Sequence, residues 1–163
     1  MISGSRGLIG VALTVALAAP AAAQGVGDRA PAVRVASLDG REIPIAVTAG
    51  RKAMVIEFWA TWCEVCEALL PRMRAAQTRY GSQVDFFGVN VTVNESRARV
   101  TRFVAEHRLP FTVVYDNGGV AVRAYSAPTT SHVVIVDASG VIRYVGSGAS
   151  QDITGELAKV VGR

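Results

Sequence analysis

Two cysteines, Cys63 and Cys66, are the only ones in this 163-residue chain. They lie at the junction between a strand-like apolar run, Met54 to Trp59, and a helix-like stretch, Glu64 to Tyr80. That placement constrains the fold and the chemistry together. Unpaired N–H groups and the positive dipole end at a helix start favour thiolate over thiol at Cys63. Cys66, one turn later on the same face, can attack a mixed disulfide formed at Cys63. The pair therefore reads as a redox dithiol. A merely structural bridge is a poor account, because so short a loop gains little from closure and secreted domains stapled for stability usually carry several bridges. A four-cysteine zinc site is impossible with two cysteines.

The compartment bears on this reading. Arg6 and the amino terminus precede the apolar run Leu8 to Ala19, and Pro20 leads into Ala21-Ala22-Ala23, an A-x-A type cleavage site before Gln24. A membrane-spanning helix needs about 20 apolar residues, so this shorter run predicts a secretory signal peptide over residues 1–23, cleaved near Ala23, and one domain over 24–163. The mature protein is expected in the periplasm or otherwise exported, where a bare cysteine pair becomes a disulfide unless something reduces it. The chain carries a net charge of +4, of which Arg6 leaves with the leader. This mild excess, with no clustered basic run and no nucleic-acid motif, excludes a nucleic-acid partner as the expected reading.

In chain order, Val33 to Ser37 and Glu42 to Ile45 flank the turn Leu38-Asp39-Gly40-Arg41, where Asp-Gly signals a hairpin. Met54 to Trp59 has the pattern of a central strand covered on both faces, yet it contains Glu57. The helix from Glu64 presents Val65, Ala68, Leu69, Met73, Ala76 and Tyr80 at helical spacing, and Pro71 inside it predicts a kink. A buried strand over Val84 to Val91, a helix over Glu95 to His107, a short strand over Phe111 to Tyr115 and a short helix over Val120 to Tyr125 follow. After the loop Ser126 to Ser131 come the strand His132 to Val136, its antiparallel partner Val141 to Val145, and a closing helix over Ile153 to Val161. Strands alternating with helices, then a terminal hairpin and helix, predict an α/β fold: a central mixed β-sheet flanked by helices on both faces, with an N-terminal β extension.

The block Phe58-Trp59-Ala60-Thr61-Trp62-Cys63-Glu64-Val65-Cys66, followed five residues on by Pro71, resembles the active site of the thioredoxin-like superfamily, specifically exported TlpA/ResA-type thiol-disulfide oxidoreductases and redoxin-like domains. A weaker likeness runs from Tyr125 to Gly146, and the whole resemblance covers about residues 26 to 162. It implies a thioredoxin fold, with Cys63 as the attacking thiol, Cys66 as the resolving one, and the two forming a redox disulfide. Trp62 would belong to the rim that meets substrate, a protein disulfide. The likeness further implies no organic cofactor, a monomer, and a membrane electron donor of the DsbD or CcdA type.

Two departures sharpen the expectations. Many TlpA/ResA relatives carry an acidic residue three positions after the second cysteine, where this chain has Leu69, whereas thioredoxins place a buried carboxylate six residues before the first cysteine, where this chain has Glu57. A carboxylate in an apolar strand has a raised pKa through desolvation and could take the Cys66 proton directly or through water; a solvent-facing or ion-paired Glu57 is the alternative. The second departure lies in the loop opposite the dithiol, where the family has a cis-proline beside a residue that docks substrate. Spacing from Gly140 puts Ser131 there, in a trans bond, with Thr130 and Ser131 meeting substrate; the alternative register makes Ala127-Pro128 the cis pair. Without that proline His132 could approach the dithiol. Cys63, Cys66 and His132 would suit copper(I) or zinc, so a copper-delivery protein of Sco-like type is the competing function. A peroxiredoxin is excluded, because its required proline and Thr/Ser positions are Ile56 and Ala60 here. Glu64, between the cysteines, opposes thiolate formation and argues against a strong oxidant.

Overall fold

The computed structural model describes residues 24–47 and 52–162; the predicted leader lies outside them. The elements in chain order are β1 (Val33–Ser37), β2 (Glu42–Ile45), β3 (Ala53–Trp59), α1 (Glu64–Tyr80), β4 (Val84–Asn90), α2 (Arg97–His107), β5 (Thr112–Tyr115), α3 (Val120–Ala124), β6 (His132–Val136), β7 (Ile142–Ser147) and α4 (Ile153–Val161). They build a mixed seven-stranded sheet in the order β2-β1-β5-β4-β3-β6-β7. β3, β4 and β5 run parallel, joined by helical crossovers, while β6 and β7 return antiparallel on one side and the β1–β2 hairpin adds antiparallel to β5 on the other. The predicted α/β sheet with an N-terminal β extension is therefore the observed architecture.

β3 is the axis of the molecule. All seven of its residues are buried, as an almost unbroken apolar run requires of a strand covered on both faces. Alternation along it separates two cores. Val55 packs with Phe86, Val133 and Ile135 against Leu69 and Met73 of α1 and Leu157 of α4. Met54, Ile56 and Phe58 point the other way, with Val114, Val134 and Ala121 of α3. Glu57 and Trp59 share the face of Val55. They thus lie under α1 and α2, where Trp59 packs with Val100, Val113 and both cysteines.

The element boundaries lie within about two residues of the sequence reading, and that of α1 matches it. α1 runs as one helix from Glu64 to Tyr80 with Pro71 inside it, so the proline removes one backbone donor without ending the element. α2 starts at Arg97 rather than Glu95, because the Ser96 hydroxyl caps it by accepting from Arg99 N at 3.2 Å. β7 extends to Ser147, where His132 pairs with it across the β6–β7 ladder. The turn between those strands is organised by Asp137, whose carboxylate accepts from Ser139 N, Val141 N and Arg143 Nε.

Candidate active site

The dithiol sits where β3 ends and α1 begins. Cys63 is the N-cap of α1, with extended backbone (φ −89°, ψ 93°), and its Sγ accepts from Cys66 N at 3.0 Å. The sulfur of the first cysteine thus occupies the place that a Ser or Asp oxygen usually takes at a helix start. There it meets the unpaired N–H groups that stabilise negative charge. Cys63 and Cys66 are joined by a disulfide with Sγ–Sγ 2.07 Å and Cα–Cα 5.3 Å. Both are largely buried, each about 7% exposed.

Beneath the pair lies a pocket of about 20 Å³, lined by Glu57, Trp59, Ala60, Cys63, Cys66 and Glu67 among others. Glu57 is 1% exposed, and its Oε1 has no hydrogen-bond partner in the protein. Burial alone pushes its carboxyl up to about 8, because the low-dielectric surroundings penalise the charged form and no cation offsets the penalty. The solvent-facing and ion-paired alternatives for Glu57 are thereby set aside. Leu69, at the position where many relatives carry an acid, is fully buried in the α1 core.

The wall of this pocket depends on Gly88 of β4, which pairs with Glu57 in the parallel ladder. A Cβ there would overlap the Phe111 ring and come within 3.0 Å of Trp59 Nε1. Glycine thus permits a close approach of two aromatic rings over the sheet. Trp59 stacks tilted on Phe103 at 5.6 Å and on Phe111 at 6.3 Å.

A residue that sequence reasoning assigned only to a helix start governs the approach to the dithiol. Glu95 accepts from the Thr61 backbone N, from Thr61 Oγ1 at 3.0 Å and from Asn90 Nδ2 at 3.2 Å. It clamps the segment immediately before Cys63. From the same β4–α2 loop, Val93 O accepts from Trp62 Nε1 at 2.8 Å, which holds an indole that is 48% exposed. Two residues of this loop, Thr92 and Asn94, take left-handed backbone (φ 62° and 54°), which asparagine tolerates and a β-branched threonine rarely adopts. The sequence signal available for Glu95 was only an acid at a helix start.

Opposite the dithiol, the two registers proposed for the loop resolve in space. There is no cis peptide among the described residues, so Ala127-Pro128 is not a cis pair and Thr130-Ser131 is trans. Ser131 is 4% exposed with φ 57°; its Oγ accepts from Gly148 N at 3.1 Å and its carbonyl accepts from Gln151 Nε2 at 3.0 Å. Trp62 and Thr130 lie together on a groove of about 480 Å³ with Val93, Val122 and Pro128; Ser131 does not line it and instead anchors the loop from behind.

His132 is also turned inward. Its Nδ1 pairs with Ser147 Oγ at 3.0 Å and its ring lies against Phe58 at 6.0 Å. Burial holds its imidazole below the ordinary histidine range. Among the described residues no three His, Cys, Asp or Glu side chains form a metal-binding group. The approach of His132 to Cys63 and Cys66 that the competing reading requires is not realised, because Ser147 and the Phe58 ring hold its side chain instead. The copper-delivery alternative finds no support in this arrangement.

Similarity to known proteins agrees with the geometry. A thiol-disulfide oxidoreductase ResA of Bacillus cereus is 28% identical over 138 residues, covering 83% of this chain and 78% of that protein. The thioredoxin-like protein YneN of Bacillus subtilis is 30% identical over 136 residues, covering 80% of this chain and 78% of that protein. The thioredoxin domain of a thiol-disulfide oxidoreductase from Bacteroides vulgatus superposes with a TM-score of 0.72 at 18% identity, over 85% of this chain and 99% of that one, a likeness of fold. The family model described as Redoxin matches residues 25–161. With a helix-capping dithiol on a thioredoxin-type sheet and a match over nearly all the described residues, this chain belongs to the Redoxin family.

Proposed function

We propose that this chain is an exported thiol-disulfide oxidoreductase that reduces protein disulfides. The observation that carries the reading is the position of Cys63 Sγ, which caps α1 and receives the Cys66 N–H while the pair lies over the Glu57 pocket. In the reducing direction the Cys63 thiolate attacks one sulfur of a substrate disulfide, and the other leaves with the electron pair and takes a proton. Cys66, which gives its proton to the ionised fraction of Glu57, then attacks Cys63 Sγ; the bond between Cys63 and substrate breaks, substrate leaves as a thiol, and the Cys63–Cys66 disulfide forms. Trp62 and Thr130 line the groove that would receive the substrate segment, and Ser131 supports the loop that presents Thr130.

Recharging runs the chemistry backwards. A reducing partner attacks Cys63, and Glu57, protonated at neutral pH because burial raises its carboxyl to about 8, supplies the proton that Cys66 needs as it leaves. In an exported protein this partner must bring electrons across a membrane, which suits a donor of the DsbD or CcdA type acting on a monomer. The test is dithiothreitol-driven reduction of a model protein disulfide. Turnover should vanish with Cys63→Ser, and Cys66→Ser should accumulate a mixed disulfide at Cys63. Turnover that survives Cys63→Ser would sink the proposal. The reduction potential decides the direction in which the pair works, since about 30 mV is already a tenfold change in equilibrium.

A further inference from the structure

Glu57 and Trp59 are two residues apart on β3 and therefore face the same way. Each is almost fully buried, and each carries one polar atom without a protein partner, Oε1 of Glu57 and Nε1 of Trp59. Both side chains line the pocket that also touches Cys63 and Cys66. Two orphaned buried groups on one small pocket require an explanation, because leaving either unpaired costs about 1–3 kcal/mol and folded proteins satisfy nearly all such groups with protein or ordered water. The two groups are complementary in kind: an indole N–H can only donate, and a carboxyl oxygen can accept.

The pocket's volume of about 20 Å³ matches one water position. Its remaining walls include Leu70, Phe103, Leu109 and Phe111, which offer a water nothing. The titratable groups facing Glu57 there are Glu67 of α1 and the two cysteines; no cationic side chain lines the space. Neither β4 nor the segment entering β5 contributes a charge to it, since Gly88 and Phe111 stand there.

We propose that the pocket is a single-water site in which Trp59 Nε1–H donates to the water, the water donates to Glu57 Oε1, and its second lone pair receives the Cys66 thiol proton. Trp59 is then a positioning residue for proton transfer, besides its role in packing. The step balances: Cys66 S–H gives its proton to the water, the water passes one of its own to the Glu57 carboxylate, and the Cys66 thiolate goes on to attack Cys63 Sγ. Recharging reverses each move. This inference rests on the reading of Glu57 as the proton partner of Cys66.

Trp59→Phe in the full chain keeps an aromatic ring at this position and removes the N–H together with part of the indole. The pH profile of mixed-disulfide resolution should shift to higher pH, with resolution near neutrality slowed about tenfold and the initial attack by Cys63 unchanged; the NMR titration of the Glu57 carboxyl should move with it. An unchanged profile and titration, with Glu57→Gln still abolishing the pH-dependent limb, would overturn the water site and leave the Glu57 role standing. If Glu57→Gln also leaves the limb in place, the Glu57 reading itself is wrong. Should Trp59→Phe fail to fold, the wild-type Trp59 indole N–H gives the answer by NMR: a cross-peak to a long-lived water supports the site, and its absence refutes it.

Discussion

Glu57 couples chemistry to stability through a single proton. Its carboxyl titrates near 8 in the folded chain and near 4.5 when released to solvent, so between those values the native state holds a proton that the unfolded chain has lost. Stability therefore falls as pH rises through this window and is flat below it. Glu57→Gln cannot ionise and should escape the fall. Thermal melts are expected to show the two proteins alike below pH 4.5 and the glutamine variant the more stable above pH 8; parallel curves throughout would mean that Glu57 is solvated. The same substitution should slow resolution of the mixed disulfide. At this scale the sequence was informative about Glu57, because Ile56 and Phe58 on either side leave an acid in a doubly covered strand. It was silent about Trp59, whose indole nitrogen is orphaned only because Gly88 and Phe111, remote in sequence, close over it.

The loops between elements set the approach to the dithiol. Glu95 commits its carboxylate to Thr61 and Asn90, which joins the end of β4 to the turn that presents Trp62 and Cys63. Removing it leaves the Thr61 N–H and the Asn90 amide short of an acceptor, a loss of about 1–3 kcal/mol. Glu95→Ala should accordingly lower the denaturant midpoint and slow the first attack on substrate more than the resolution step, as stopped-flow traces can separate. The β6–β7 turn offers a control away from the site. Asp137 is held at about 2 even though burial would raise it, because hydrogen bonds from Ser139, Val141 and Arg143 outweigh that cost. Its contribution is fully present above the ordinary carboxylate range and is lost as pH falls through about 2. Asp137→Ala should weaken the fold by about 1–3 kcal/mol with exchange rates intact. Turn residues such as Asp137 and helix periodicity in α1 were legible in advance. The start of α2 was not, since Ser96 and Glu95 both look like helix-start residues and only the position of Thr61, far back in the chain, decides between them.

For the molecule as a whole, the strand order and the two cores follow from the covered pattern of β3 and the crossovers on either side of it. The α1–α4 packing is where that architecture is most exposed to test. Leu157 is fully buried against α1 residues Leu69 and Met73, remote from the helix start. Leu157→Ala should cost about 2–5 kcal/mol, read by chemical denaturation, while native-state exchange stays near wild type. A large loss of exchange would mean that α4 steers the cap as well as the core. The resemblance carried by Phe58 to Pro71 foretold the sheet and the dithiol. The loop facing them departed from it, because Ser131 reaches its place through Gly148 and Gln151, partners that no local pattern announces.

Gly88 underlies this arrangement. The Phe111 and Trp59 rings rest where a side chain at this position would stand, and they roof the space in which Glu57 is kept from bulk solvent. Enlarging residue 88 would lift that roof and let the solvent in, and Glu57 would recover its ordinary acidity. A change in side-chain volume on one strand would thus act as a dial on proton affinity at a sulfur on the next element, one that responds to a methyl group without any charge being added or removed.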